Sequence, residues 1–170
     1  LTYTNFREFL PSSGKFVTGK DGIWRLAEGD RHQLDALEGK HASEIFPADI
    51  YQELTYKTTG KVVLVEFWGT WCEPCLAMQP LLKKLHRENS ENGFEIVSIH
   101  STRGAGQMDA YLAQQPVDWT NLQDDGNRLA KAFKVALYPS VFLIDRQGVL
   151  RVAQPHRVGL WDAVGRLMRE

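Results

Sequence analysis

Trp68-Gly69-Thr70-Trp71-Cys72-Glu73-Pro74-Cys75 lies between two segments of different periodicity. Before it, Lys61-Val62-Val63-Leu64-Val65-Glu66-Phe67 is β-branched and nearly continuously apolar, the pattern of a strand buried on both faces. After it, the apolar residues of Leu76-Ala77-Met78-Gln79-Pro80-Leu81-Leu82-Lys83-Lys84-Leu85 recur at helical spacing. The two cysteines therefore stand where a strand ends and a helix begins. Free backbone N–H groups at a helix start carry partial positive charge, which favours thiolate over thiol. Two thiols at this spacing can close a small disulfide ring and reopen it by exchange. The chemistry indicated is redox.

A CxxC pair alone is a weak signal, because zinc ribbons use it too, but after an apolar strand and at the mouth of a helix it is a strong one. Phe67 to Cys75, with Pro80 five residues beyond the second cysteine, resembles the active-site helix of the thioredoxin family. Glu73-Pro74 between the cysteines is most similar to the TlpA/ResA (DsbE-like) branch of extracytoplasmic thiol–disulfide oxidoreductases. The resemblance implies a proline kink at Pro80. It also implies an α/β fold, a thioredoxin-like three-layer αβα sandwich. Its mixed central sheet would carry a C-terminal β-hairpin and a central α/β insertion, while the N-terminal extension at residues 1–46 lies outside the resemblance.

The 170 residues leave room for one domain with a real core. Hydrophobic residues at 43% and charged residues at 24% are ordinary for a globular protein. Twenty basic against 21 acidic side chains give no electrostatic reason to expect nucleic acid or an acidic membrane as partner. No apolar run approaches a membrane span, so stable insertion of this segment is not expected. The chain begins at Leu1 without methionine, and any targeting segment or tether is expected to lie outside it. Both cysteines belong to the one motif, leaving none for structural disulfides or a four-thiolate zinc site.

The elements follow in order. Residues 1–46 read as an extension: a turn at Pro11-Ser12-Ser13-Gly14, and a hairpin strand at Ile23-Trp24-Arg25-Leu26. A short helix capped by Asp30 would run through Leu37 and stop at Gly39, followed by an edge strand from Ala42 to Phe46. Residues 47–170 read as the thioredoxin-like domain. Ile50, Tyr51 and Leu54 mark a helix, the strand at 61–67 comes next, and the redox helix extends to Asn89. A strand is expected at Phe94–His100, a helix at 107–115, an extended piece at Trp119–Leu122 and a helix at 127–134. Ser140–Asp145 and Val149–Ala153 form a hairpin about Arg146-Gln147-Gly148, and a helix at 157–168 ends the chain. Alternation of strands and helices up to that hairpin argues a mixed sheet with helices on both faces.

Cys72, at the helix entrance, is the expected nucleophile, reachable by solvent and by a partner disulfide. Cys75, one turn inward, is expected to be buried and to resolve the mixed disulfide. Glu66 shares a strand face with Val62, Leu64 and Trp68, so an acid stands in an apolar row. Burial would raise its pKa toward neutrality and suit it to exchange a proton with Cys75. The competing reading pairs it with a lysine at a sheet edge. In thioredoxins a buried aspartate holds this position, so the resemblance points the same way. Pro139 matches the family's cis-proline, which implies that Tyr138 presents its backbone to a partner strand. Glu73 opposes thiolate formation at Cys72, and with Pro74 it tunes the pair toward reductant behaviour. Trp71 offers an aromatic contact surface to partners. His100, Thr102 and Arg103 are expected to be mainly solvated loop residues.

The reading is a protein-disulfide reductase that needs no bound cofactor and no metal, with disulfide-containing protein clients and, as the resemblance implies, a membrane electron donor. The chain is expected to be a monomer outside the cytoplasm, in the periplasm or at the outer face of the cytoplasmic membrane. An oxidase or isomerase remains an alternative, as does a module that binds Cu(I) through the same two thiols. One departure bears on clients: ResA-like proteins carry a glutamate three residues after the second cysteine, where this chain has Met78.

Overall fold

The computed structural model describes residues 16–27 and 31–170. The first elements are β1 (Phe16–Thr18), β2 (Trp24–Leu26), α1 (Arg31–Asp35), α2 (Ala42–Ile45), α3 (Ala48–Thr58) and β3 (Val62–Trp68). They are followed by α4 (Glu73–Asn89), β4 (Phe94–His100), α5 (Met108–Gln114) and β5 (Thr120–Gln123). The chain closes with α6 (Arg128–Ala132), β6 (Ser140–Ile144), β7 (Leu150–Ala153) and α7 (Arg157–Arg169).

Five strands form one sheet in the order β5-β4-β3-β6-β7. β3 lies at its centre and is buried along its whole length, which explains its unbroken apolar run. It pairs parallel with β4, Glu66 standing opposite Ser98, and antiparallel with β6. The inserted α5–β5 unit supplies an edge strand parallel to β4, so the extended piece expected near Trp119 is a sheet member.

Successive residues of β3 face opposite ways. Val63, Val65 and Phe67 join Val97, Ile99, Phe142 and Ile144 in a core closed by Leu54 of α3 and Leu129 of α6. Val62 and Leu64 join Phe94, Ile96 and Leu143 against Leu82 and Leu85 of α4 and Leu160 and Val164 of α7. Helices therefore cover both faces of a mixed sheet, the three-layer αβα sandwich expected from the sequence. Pro80 sits inside α4, which runs on through it to Asn89. Among the described residues no helix is long and apolar enough to cross a membrane.

In the extension, β1 and β2 form an antiparallel pair, as the alternating run at 23–26 suggested. The hairpin is fastened to the end of the main sheet: Leu26 N–H donates to Gln154 O at 2.9 Å, and His156 N–H to Trp24 O at 2.8 Å. Arg25, buried, bonds Asp21 at 2.9 Å and Glu38 at 2.7 Å. The edge strand expected at 42–46 is instead the one-turn helix α2. His41 accepts the Ser43 N–H, and the Glu44 side chain accepts the His41 N–H at 2.9 Å, a reciprocal cap that decides for helix where Ile45 is the only β-branched residue. α1 stops at Asp35, short of Leu37. The turn at 11–14 and the cap at Asp30 lie outside the described residues.

Candidate active site

Trp68 ends β3, and three residues later the chain enters α4 with Cys72 as the residue just before the helix. The Cys72 sulfur accepts the Cys75 N–H at 3.3 Å, one of the donors a helix start leaves free. Pro74 occupies the first turn, where its missing N–H costs nothing. Cys72 and Cys75 are joined as a disulfide, their Cα atoms 5.2 Å apart. Both are buried, Cys72 at 3% exposure, so the accessible Cys72 expected from the sequence is not what the disulfide form presents. Bonding to Cys75 folds the sulfur against the helix mouth, within a cluster of Trp68, Met108, Leu76, Tyr111, Leu112 and Tyr138.

Glu66 is wholly buried on the α4 side of β3, in the central strand and not at an edge. Its partner is a serine and not the alternative lysine: Ser98 Oγ donates to Oε2 at 2.7 Å. Ser98 Oγ in turn accepts the Trp119 indole N–H at 2.8 Å. An indole can only donate, so Trp119 occupies a lone pair of the hydroxyl and leaves its proton for Glu66. Burial pushes the Glu66 carboxyl up to about 7, against the lowering effect of the Ser98 bond. Glu66 Oε1 and Trp68 Nε1 are the two buried side-chain polar atoms without a hydrogen-bond partner among the described residues. They belong to the same face of β3, two residues apart. Tyr111 feels the same charge, its hydroxyl raised by burial first and then by Glu66.

The turn between β3 and α4 is held by the loop after β4. His100 is fully buried, Nδ1 within 2.7 Å of Ser101 O and Nε2 within 2.9 Å of Thr70 N. Its neighbours allow one arrangement: Nδ1 donates to the carbonyl while unprotonated Nε2 accepts the Thr70 N–H. Burial also lowers its pKa, in keeping with a neutral ring. Trp71 Nε1 donates to Ser101 Oγ at 2.8 Å and to Arg103 O at 3.0 Å, while the Arg103 guanidinium lies 4.5 Å above the ring. The expectation of a solvated loop is therefore corrected for His100, which its two backbone partners draw inward.

Trp71 remains partly exposed and meets the Tyr138 ring edge-on at 5.4 Å. The Tyr138–Pro139 peptide bond is cis. Glu73 and Pro74 are exposed on the first turn of α4, and Arg157 Nη2 donates to Pro74 O at 3.3 Å. Met78, at the position where ResA-like proteins carry glutamate, is buried in the core between α4 and α7.

Thus Cys72, Cys75, Tyr138 and Trp71 converge, and Glu66 lies two residues before Trp68 on the same strand face. Sequence reasoning missed Ser98 and Trp119. A small polar residue inside the apolar run Phe94–His100 was the available signal for the first. Gln154 and Arg157, which reach the site from beyond β7, left no local signal.

A thioredoxin-like family model matches residues 60–150, more than half of the chain. The chain is 32% identical over 89 residues to the thiol-disulfide oxidoreductase ResA of Bacillus thuringiensis subsp. konkukian, covering 52% of this chain and 51% of the relative. It is 29% identical over 142 residues to the thiol:disulfide interchange protein HelX of Rhodobacter capsulatus, covering 79% of this chain and 78% of HelX. It thus spans about half the length of the ResA relatives it matches. Its fold superposes with a TM-score of 0.59 on a thiol:disulfide interchange protein of the thioredoxin family from Chlorobium tepidum, at 22% identity over 67% of this chain and 84% of that one. With the family model matching over more than half of its length, the chain belongs to the thioredoxin-like family.

Proposed function

We propose that this protein is a thiol–disulfide oxidoreductase acting as a protein-disulfide reductase through Cys72 and Cys75. The observation that carries the reading is a Cys72–Cys75 disulfide at the entrance of α4, with a buried carboxyl pushed up to about 7 on the strand that leads into it. In the reduced protein the Cys72 thiolate attacks a client disulfide, and one client sulfur leaves as a thiolate. Glu66 takes the proton of Cys75, whose thiolate attacks Cys72 in the mixed disulfide. The second client sulfur leaves and is protonated, so two electrons pass to the client and the Cys72–Cys75 bond forms. A dithiol donor must then reduce that bond. A carboxyl that titrates near neutrality suits both directions of the proton transfer.

Tyr138 and Pro139 would present backbone to an extended client, with Trp71 and Tyr138 as the aromatic rim. Glu73 and Pro74 at the helix start would weaken the Cys72 thiolate and favour the reductant direction. The names of the ResA and HelX relatives support disulfide exchange, and with it protein clients. A membrane electron donor, an extracytoplasmic location, a monomeric state and a domain at 47–170 bearing an extension at 1–46 belong to the same proposal.

The test is trapping. Cys75→Ser, mixed with a disulfide-linked peptide dimer, should accumulate a mixed disulfide at Cys72, and Cys72→Ser should accumulate none. Equal trapping by both variants would reverse or remove the assigned roles.

A further inference from the structure

Gln154 leaves the end of β7 with φ 57, in the left-handed region that side chains other than glycine and asparagine seldom adopt. Its N–H still donates to Val141 O at 2.7 Å, as the ladder with β6 requires. Its carbonyl, however, accepts the Leu26 N–H of the N-terminal hairpin. That would leave the buried Val141 N–H without its strand partner. The side chain makes good the loss: Gln154 Oε1 accepts the Val141 N–H at 2.7 Å.

The other end of the same amide reaches the loop before β6. Nε2 donates to Ser140 Oγ at 3.1 Å and is 3.4 Å from Pro139 O. Ser140 Oγ then donates to Leu137 O at 2.6 Å. One buried side chain therefore holds the chain immediately after Tyr138 and Pro139, while Tyr138 itself packs in the cluster with the two cysteines. The hairpin is fastened again two residues on, where Trp24 O accepts the His156 N–H. A glycine would fit the backbone at 154 more easily, so the turn alone does not call for glutamine. The amide does.

We infer that Gln154 is a positioning residue for an extended client segment: its amide sets the backbone of the Tyr138–Pro139 loop, and its carbonyl ties that loop to the N-terminal hairpin. The inference rests on the disulfide-exchange reading above. It predicts a preference for disulfides within extended polypeptide over compact small disulfides, because strand pairing draws on backbone already held in place.

The experiment uses the whole reduced chain, as wild type, Gln154→Gly and Gln154→Glu, against two probes: a disulfide-linked dimer of an extended peptide, and 5,5′-dithiobis(2-nitrobenzoate). Gln154→Gly keeps the left-handed turn and removes the amide, while Gln154→Glu keeps an acceptor for Val141 and loses the donor. The ratio of peptide to aromatic rates should fall about tenfold in Gln154→Gly, carried by KM, and by less in Gln154→Glu. A ratio that stays at the wild-type value overturns the inference, as does a fall matched by a shift in the Cys72–Cys75 reduction potential. Reaction of wild-type Cys72 with both probes no faster than a free thiol would instead sink the exchange reading, and this inference with it.

Discussion

The two faces of β3 are built from the same seven residues and do opposite things. On one, Val63, Val65 and Phe67 are sealed among apolar side chains, Phe67 touching Phe133 and Phe142 at ring distances of 5.4 and 5.8 Å. On the other, Val62 and Leu64 begin an equally apolar row, but Glu66 and Trp68 follow, each with a buried polar atom that is unpaired among the described residues. The first face is stability alone. The second gives up stability where the cysteines sit, since a carboxyl in such a site is favourable only while it keeps its proton. The alternation of a strand thus places a packed core and a buried carboxyl that titrates near neutrality within one residue of each other.

Breaking each face should break a different property. Cys72→Ser should lower disulfide reduction by at least ~10³-fold, measured as turnover of the peptide disulfide. Phe67→Ala, on the sealed face, should cost about 3–5 kcal/mol of unfolding free energy and leave the reduction potential unchanged. A shifted potential would mean that the faces are not independent.

Glu66→Gln sharpens the contrast through pH. The folded pKa is raised from its ordinary value of 4.5 to about 7, so the protonated form is favoured in the folded state. Stability from this group is therefore fully present below about pH 4.5 and is lost as pH rises through about 7, by roughly 3 kcal/mol in all. The oxidised wild type should show that loss in denaturant titrations at pH 4.5 and 8, and Glu66→Gln should not. Ser98→Ala carries the smallest effect: removing the donor to the carboxylate should move the Glu66 titration further up. Ser98→Thr should restore it, as read by carboxyl ¹³C shifts.

Much of this was legible in the sequence because the signals are local. The β-branched run of β3, the helical spacing after Cys75 and the acid at Glu66 all lie within one stretch, and period and position suffice to read them. Pro139 was legible through the thioredoxin resemblance. Residues 42–46 misled, since a cap made by His41 and Glu44 outweighed a short apolar pattern. Ser98 acts across strand register, 32 residues from Glu66, and Trp119 reaches Ser98 from a further 21 residues along the chain. Gln154 acts through a turn that only the meeting of the hairpin with β7 creates. His100 looked like a loop residue and is buried because two backbone groups claim its ring nitrogens.

The proposed exchange depends most directly on Glu66 taking the proton of Cys75. The decisive measurement is the rate at which Cys75 resolves a preformed Cys72–peptide mixed disulfide, followed from pH 5 to 9 in wild type and in Glu66→Gln. The wild-type rate should rise through an inflection near pH 7, and the variant should lose that inflection and run more slowly at neutral pH. Superimposable profiles would show that the buried carboxyl takes no part in the exchange.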